Sequence, residues 1–192
     1  MSMDFNDAES NTSFDIIPAG TVAPMMMTIR PGHEGHGGWE TASQSSDVRY
    51  LSCEFVITEG QFAKRKFWQN MVVSGGKTDE NGNSKAAAIT RSTLRGILES
   101  ARRVKPNDES DEAKAKRIVS GYEDFSGIEF VGKIGIEKGS NGYADKNKLL
   151  APVPVTSKDY ASGGDAVPFG KAAENVVNKA ATAAGSTPAW AA

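Results

Sequence analysis

Apolar and polar residues alternate along several stretches of the chain, and segments rich in glycine, proline and serine separate these stretches. Alternation of this kind predicts half-buried β-strands. It is clearest in residues 48–57, where Leu51, Cys53, Phe55 and Ile57 share one face and Tyr50, Ser52 and Glu54 share the other. Five strands are predicted in all, at residues 21–30, 48–57, 64–73, 128–138 and 146–155.

Residues 85–104 follow a helical period instead. One stripe of this segment is mostly apolar and consists of Ala87, Thr90, Leu94, Ile97, Ala101 and Val104. Arg91, Arg95 and Arg102 fall on roughly the opposite side, so the segment predicts an amphipathic helix with a basic outer face. A shorter helix is predicted at residues 111–119.

The five predicted strands and the longer helix run in the order three strands, helix, two strands. This order favours a mainly β protein, a five-stranded OB-like Greek-key barrel with the amphipathic helix between strands three and four. A ferredoxin-like fold would need a helix at residues 31–47, which are instead rich in glycine, serine and histidine. The barrel domain is predicted at residues 14–158, between a disordered acidic segment (1–13) and a flexible low-complexity tail (159–192).

Composition and the N-terminal residues predict the compartment in which the protein acts. The chain has 192 residues and a single cysteine, Cys53, so it cannot form an intrachain disulfide, which favours a reducing compartment. The N-terminal residues are acidic and polar rather than basic and then apolar, and no apolar run reaches the roughly 20 residues of a membrane span. A cytoplasmic protein without a membrane partner is expected.

The formal net charge of −2 conceals an uneven distribution. Residues 1–20 carry four acids and no base, whereas residues 60–105 carry ten bases and three acids. Such a basic segment can dock a phosphate backbone. The alternative is that these cations only solvate the surface.

The most informative cluster is Lys64-Arg65-Lys66-Phe67-Trp68, on the predicted third strand. Neighbouring strand residues point to opposite sides, so one ring can be buried while the other faces outward. Exposed rings stack on bases, and adjacent cations neutralise phosphates without reading sequence. The predicted nucleic-acid-binding residues are Lys64, Arg65, Lys66 and Trp68 on this strand, Tyr50 on the second strand, Arg91 and Arg95 on the helix, and Trp39 in the long loop.

Two of these aromatic residues could instead have a purely structural role. Trp68 is equally compatible with a place in the core, and Tyr50 with a partly buried surface position.

No catalytic arrangement is evident. His33 and His36 are three residues apart, but the glycines around them deny them a rigid element, and no cysteine lies near in sequence. Cys53 lies on an apolar strand face, as a small core residue does. We therefore expect a protein that is not an enzyme and needs neither a metal nor another cofactor.

Several segments in order resemble a family of small phage proteins of unknown function that are regarded as similar to single-stranded DNA-binding proteins. The segments are FDIIPAGTV (14–22), VRYLSCEFVITEGQFAKRKFW (48–68), AAAITRSTLRGILESA (86–101), FVGKIGIEKG (130–139) and KNKLLAPVPV (146–155). The resemblance implies an OB-like, non-catalytic binder in phage DNA replication or recombination, acting in the host cytoplasm. The chain departs from the family in its longer loop at 31–47.

The expected partner is therefore single-stranded DNA, bound without strong sequence preference. The tail ends in TPAWAA, and its aromatic residue Trp190 is a candidate contact for a replication or recombination protein. A different class stays open, in which the barrel and tail form an adaptor that binds proteins and no nucleic acid. Oligomeric state also stays open, with a homodimer as one alternative.

Overall fold

The computed structural model describes residue 6, residues 15–140 and residues 142–160 of the chain. Within these residues the protein is mainly β, and its strands form one open antiparallel sheet. The strands are β1 (Val22–Arg30), β2 (Thr41–Ala42), β3 (Arg49–Ile57), β4 (Lys66–Ser74), β5 (Ile128–Glu137) and β6 (Lys146–Pro152). The helices are α1 (Lys85–Ala101) and α2 (Asp111–Ala115), with 3₁₀ turns at His36–Gly38 and Tyr122–Phe125.

The five long strands begin at or within two residues of their predicted positions. Their order across the sheet is β4-β3-β1-β5-β6, and all pairings are antiparallel. The sixth strand, β2, was not predicted. It lies in the segment expected to be a loop and pairs with β3, where Thr41 is opposite Tyr50.

The two edge strands of the sheet come close without pairing. Among the described residues no backbone ladder joins β4 to β6, so a closed barrel is not confirmed. The strands are bridged instead through a side chain, because the backbone N–H of Leu149 on β6 donates to Gln69 Oε1 on β4 at 2.9 Å. We call the gap between these strands the β4–β6 seam.

The predicted apolar face of β3 is confirmed as part of the core. Leu51, Cys53, Phe55 and Ile57 are all essentially inaccessible to solvent. The Phe55 ring stacks on Phe67 of β4, with centroids 5.1 Å apart, and meets Phe130 of β5 edge to face at 6.2 Å. Such ring pairs stabilise a core by about 0.5 to 1.5 kcal/mol each beyond their area burial.

Helix α1 packs against β4, β5 and β6. The hydroxyl of Ser100 on α1 accepts from the backbone N–H of Val131 at 3.1 Å, in the place a neighbouring strand would take. The helix ends at Ala101, before the predicted residue 104, because Arg103 adopts a left-handed φ of 52°. Val104 is nevertheless buried, as its place in the apolar stripe predicts.

Candidate nucleic-acid interface

An open groove of about 1100 Å³ runs along the β4–β6 seam. Its walls come from the start of β4 and the start of β6, and the loop before β6 forms one rim. Five cations line it: Lys64, Arg65, Lys66, Lys146 and Lys148. Glu137 and Asp145 are the acids in its lining, which leaves a positive surplus. A groove of this character attracts polyanions.

Strand geometry explains why cations concentrate there. Lys146 and Lys148 are two residues apart on β6 and share a face, while Asn147 between them turns inward and bonds the backbone of Ile17. On the opposite wall, Lys64 occupies the turn before β4 with a left-handed φ of 68°. Its N–H donates to the Ile57 carbonyl at 2.8 Å, which fixes the turn.

The two acids of the groove are already engaged. Lys138 and the backbone N–H of Gly139 bond Asp145, and together they lower the pKa of its carboxyl. Glu137 lies 3.5 Å from Lys146. By contrast, no acidic side chain among the described residues forms an ion pair with Lys64 or Lys148, so both ammonium groups can meet a ligand.

Trp68 lies where the groove meets the outer face of the sheet. The predicted division of β4 is confirmed, since Phe67 is buried while Trp68 is 51% exposed. Its indole N–H donates to Glu54 Oε2 at 2.9 Å, and the guanidinium of Arg30 lies 5.9 Å from its ring centroid. A large ring held at two points and open to solvent is suited to stacking on a base.

Tyr50 shares the outer face of β3 with Glu54 but does not reach Trp68. Tyr50 pairs with Val72, and Trp68 pairs with Glu54, so four residues separate the two rings along the strands. At about 3.4 Å per residue this is roughly 14 Å. The two rings therefore cannot form one stacked pair, although they could contact different bases of one strand.

Three other predicted residues lie outside the groove. Trp39 is half-buried and packs against the core. Arg91 and Arg95 are exposed on α1, and Arg95 donates to Glu99 Oε1 at 2.8 Å and to the Pro106 carbonyl. Neither arginine is part of the groove lining. Trp190 lies outside the described residues.

Arg65 lines the groove and also holds a neighbouring segment of the chain in place. Its guanidinium donates to the carbonyl of Asp15, where the chain enters the domain beside β4. Because the neighbouring Ile17 is bonded by Asn147 of β6, this segment lies across one end of the seam. Arg65 thus connects the groove wall to the incoming chain.

Three further residues belong to this surface, and sequence reasoning did not select them: Arg30, Lys146 and Lys148. The lysines carried a signal, since two cations at alternate positions of a predicted strand must share one face. Tyr143 is 81% exposed in the loop between β5 and β6, two residues before Asp145 of the groove. Arg30 joins Trp68 only because β1 lies on the other side of β3 from β4.

The histidine loop does not assemble a metal centre within the described part of the chain. His33 and His36 are exposed, and no group of three or more metal-binding side chains is present there. In the same residues, every helix is too short or too polar to cross a bilayer. Comparisons with protein-family models, curated proteins and solved structures found no match to this chain.

Proposed function

We propose that this chain is a non-catalytic, sequence-tolerant single-stranded DNA-binding protein whose binding surface is the β4–β6 groove together with Trp68. One observation carries the proposal: an exposed indole ring borders a groove with five cationic side chains. Phosphates of a bound strand would lie along the lysines, and a base would stack on the ring. Duplex DNA hides its bases, so the ring favours unpaired strands.

The strand order supports an OB-like barrel for this function. Counting only the long strands, the order is three-two-one-four-five, the helix α1 lies between the third and fourth, and the third and fifth approach each other. OB-folds are partly open five-stranded barrels that bind oligonucleotides on strands two and three and on the loops after strands one and four. Trp68 and Lys66 lie on strand three of that count, and Tyr143 lies in the loop after strand four.

The expected site covers roughly 4 to 16 nucleotides, as for other barrels of this type. The sequence resemblance adds a setting, the protection of exposed strands during phage replication or recombination in the host cytoplasm. Trp190 remains the candidate contact for a partner protein in that setting.

Replacing Trp68 tests this proposal. Trp68→Ala should weaken binding of a fluorescent oligo-dT by about 1 to 3 kcal/mol, because one base loses its stacking partner. Fluorescence anisotropy at low salt measures the affinity, and matched duplex DNA should bind more weakly than the single strand.

Ile89→Ala is the control, since Ile89 is also a large exposed apolar side chain but belongs to α1. Its affinity should equal that of the wild type. If wild-type protein does not bind oligo-dT at low salt while a replication or recombination protein is recovered with it, the chain is an adaptor and the proposal fails.

A further inference from the structure

Glu54 is the centre of the cation and indole cluster on the outer face of the sheet. Its carboxylate accepts from three side chains on the two flanking strands: Arg30 on β1 at 2.8 Å, and Lys66 and the Trp68 indole on β4 at 2.9 Å each. The Glu54 side chain is only 15% exposed because these groups cover it. We call Arg30, Glu54, Lys66 and Trp68 the Glu54 cluster.

The cluster places an anion where a nucleic-acid phosphate would have to bind. Arg30 and Lys66 are about half exposed and lie beside the stacking ring, which makes them the natural phosphate contacts next to a stacked base. Both form ion pairs with the same carboxylate, which offsets one of the two positive charges. The bonds from Lys66, Arg30 and Trp68 lower the pKa of Glu54 to about 2, so the carboxylate is charged throughout the physiological range.

Glu54 also fixes the indole ring. Oε2 accepts from both the Trp68 N–H and Arg30, and the guanidinium of Arg30 lies 5.9 Å from the ring centroid. The carboxylate therefore sets the position of the cation and the ring relative to each other. Two opposing effects follow, since Glu54 preorganises Trp68 for stacking but repels the phosphate of the same nucleotide.

We propose that Glu54 is a resident counter-ion of the binding face, which positions Trp68 and is displaced from Arg30 and Lys66 by phosphate when a strand binds. The oligonucleotide part of this proposal rests on the proposed function, whereas displacement by phosphate does not. In the absence of a strand both cations are paired with the carboxylate, and the cluster keeps a net charge of only about +1. Glu54 thereby lowers affinity for isolated anions and keeps tight binding for ligands that also stack on the ring.

The test compares Glu54→Gln with Glu129→Gln, using oligo-dT and inorganic polyphosphate as probes. Glutamine removes the charge and keeps an oxygen that can accept from the indole. Glu129 is the matched control because it is an exposed acid on β5 whose position opposite Met26 places it on the same outer face, and no cation forms an ion pair with it in the described residues.

Glu54→Gln removes the anion that phosphate must displace and raises the net charge of the cluster by one, so affinity for both probes should rise, by roughly tenfold at 50 mM salt. The slope of log affinity against log salt should steepen by about 0.7, the value for one additional phosphate neutralised on a single strand. Glu129→Gln should change affinity by less than about twofold, because salt screens the interaction between this more distant charge and the bound phosphates. A role limited to stability would leave the salt slope unchanged.

The wild-type protein supplies a second measurement that needs no substitution. Polyphosphate should shift the NMR resonance of the Trp68 indole N–H, because the carboxylate to which it donates loses its bonds to Arg30 and Lys66, while the resonance of the Trp39 indole N–H should not shift. Equal salt slopes for the two glutamine variants, or an unmoved Trp68 resonance at saturating polyphosphate, would overturn the proposal. If polyphosphate behaves as expected but oligo-dT does not bind, the counter-ion role stands and the proposed function fails.

Discussion

Phe67 and Trp68 are consecutive residues of β4, yet one side chain lies in the core and the other on the surface. Phe67 stacks on Phe55 within the core, and Trp68 presents half of its surface to solvent beside the groove. The alternation that separates them is a property of any strand, so it could be predicted from sequence. The hydrogen bond that Trp68 donates to Glu54 and its cation–π contact with Arg30 could not be predicted, since they depend on the register of three strands.

Cys53 gives a test of core burial at the residue scale. Burial on the inner face of β3 raises the pKa of its thiol to about 12. Because ionisation is easier in the unfolded chain, the stability tied to this thiol is complete below about pH 9 and declines as the pH rises toward 12.

We therefore expect Cys53 of folded protein to resist a thiol reagent at pH 8 and to react fully in denaturant. Rapid labelling of one thiol per chain under native conditions, in protein whose circular dichroism is intact, would show that β3 does not bury this face.

At the scale of elements, helix α1 was predicted from sequence, but the burial of one of its charged residues was not. The apolar stripe predicted the buried Thr90, Leu94 and Ile97. It gave no reason to bury Glu99, yet the Glu99 side chain is only 7% exposed. The explanation is tertiary, because Arg117 lies far along the chain and its partner on α1 cannot be deduced from helical period.

The Glu99–Arg117 pair holds the segment after α1 against the helix. Arg117 Nε donates to Glu99 Oε1 at 2.7 Å, and its other nitrogens bond the carbonyls of Lys105, Pro106 and Asp108. Arg95 also bonds Glu99, so this arginine of the predicted binding set has a structural partner.

Arg117→Ala should lower the free energy of unfolding by about 3 kcal/mol, because it breaks a buried ion pair and leaves carbonyl groups without donors. Lys116→Ala is the neighbouring control, since its pair with Glu112 is exposed, and it should cost less than about 0.5 kcal/mol. Urea denaturation measures both. Equal losses in the two variants would mean that the Glu99 pair does not hold this segment.

At the scale of the whole molecule, the order of elements was predictable but the groove was not. Five alternating or apolar segments and one amphipathic stretch predicted the strands and α1 from local pattern alone. The groove exists because β4 and β6, about 80 residues apart in sequence, approach without pairing and are bridged by Gln69 and Leu149. Their lysines meet only after the sheet has curled, so the β4 cluster was found from sequence while Lys146 and Lys148 were missed.

The proposed binding mode places phosphates in this groove, and the salt dependence of oligo-dT binding tests that most directly. Lys146→Ala/Lys148→Ala should reduce the slope of log affinity against log salt by about 1.4, the value for two lost phosphate contacts on a single strand. The control Lys114→Ala/Lys116→Ala removes the same charge from the C-terminal end of α2 and the residue after it, outside the groove, and should leave the slope near the wild-type value. Equal slopes for the two double variants would contradict the account.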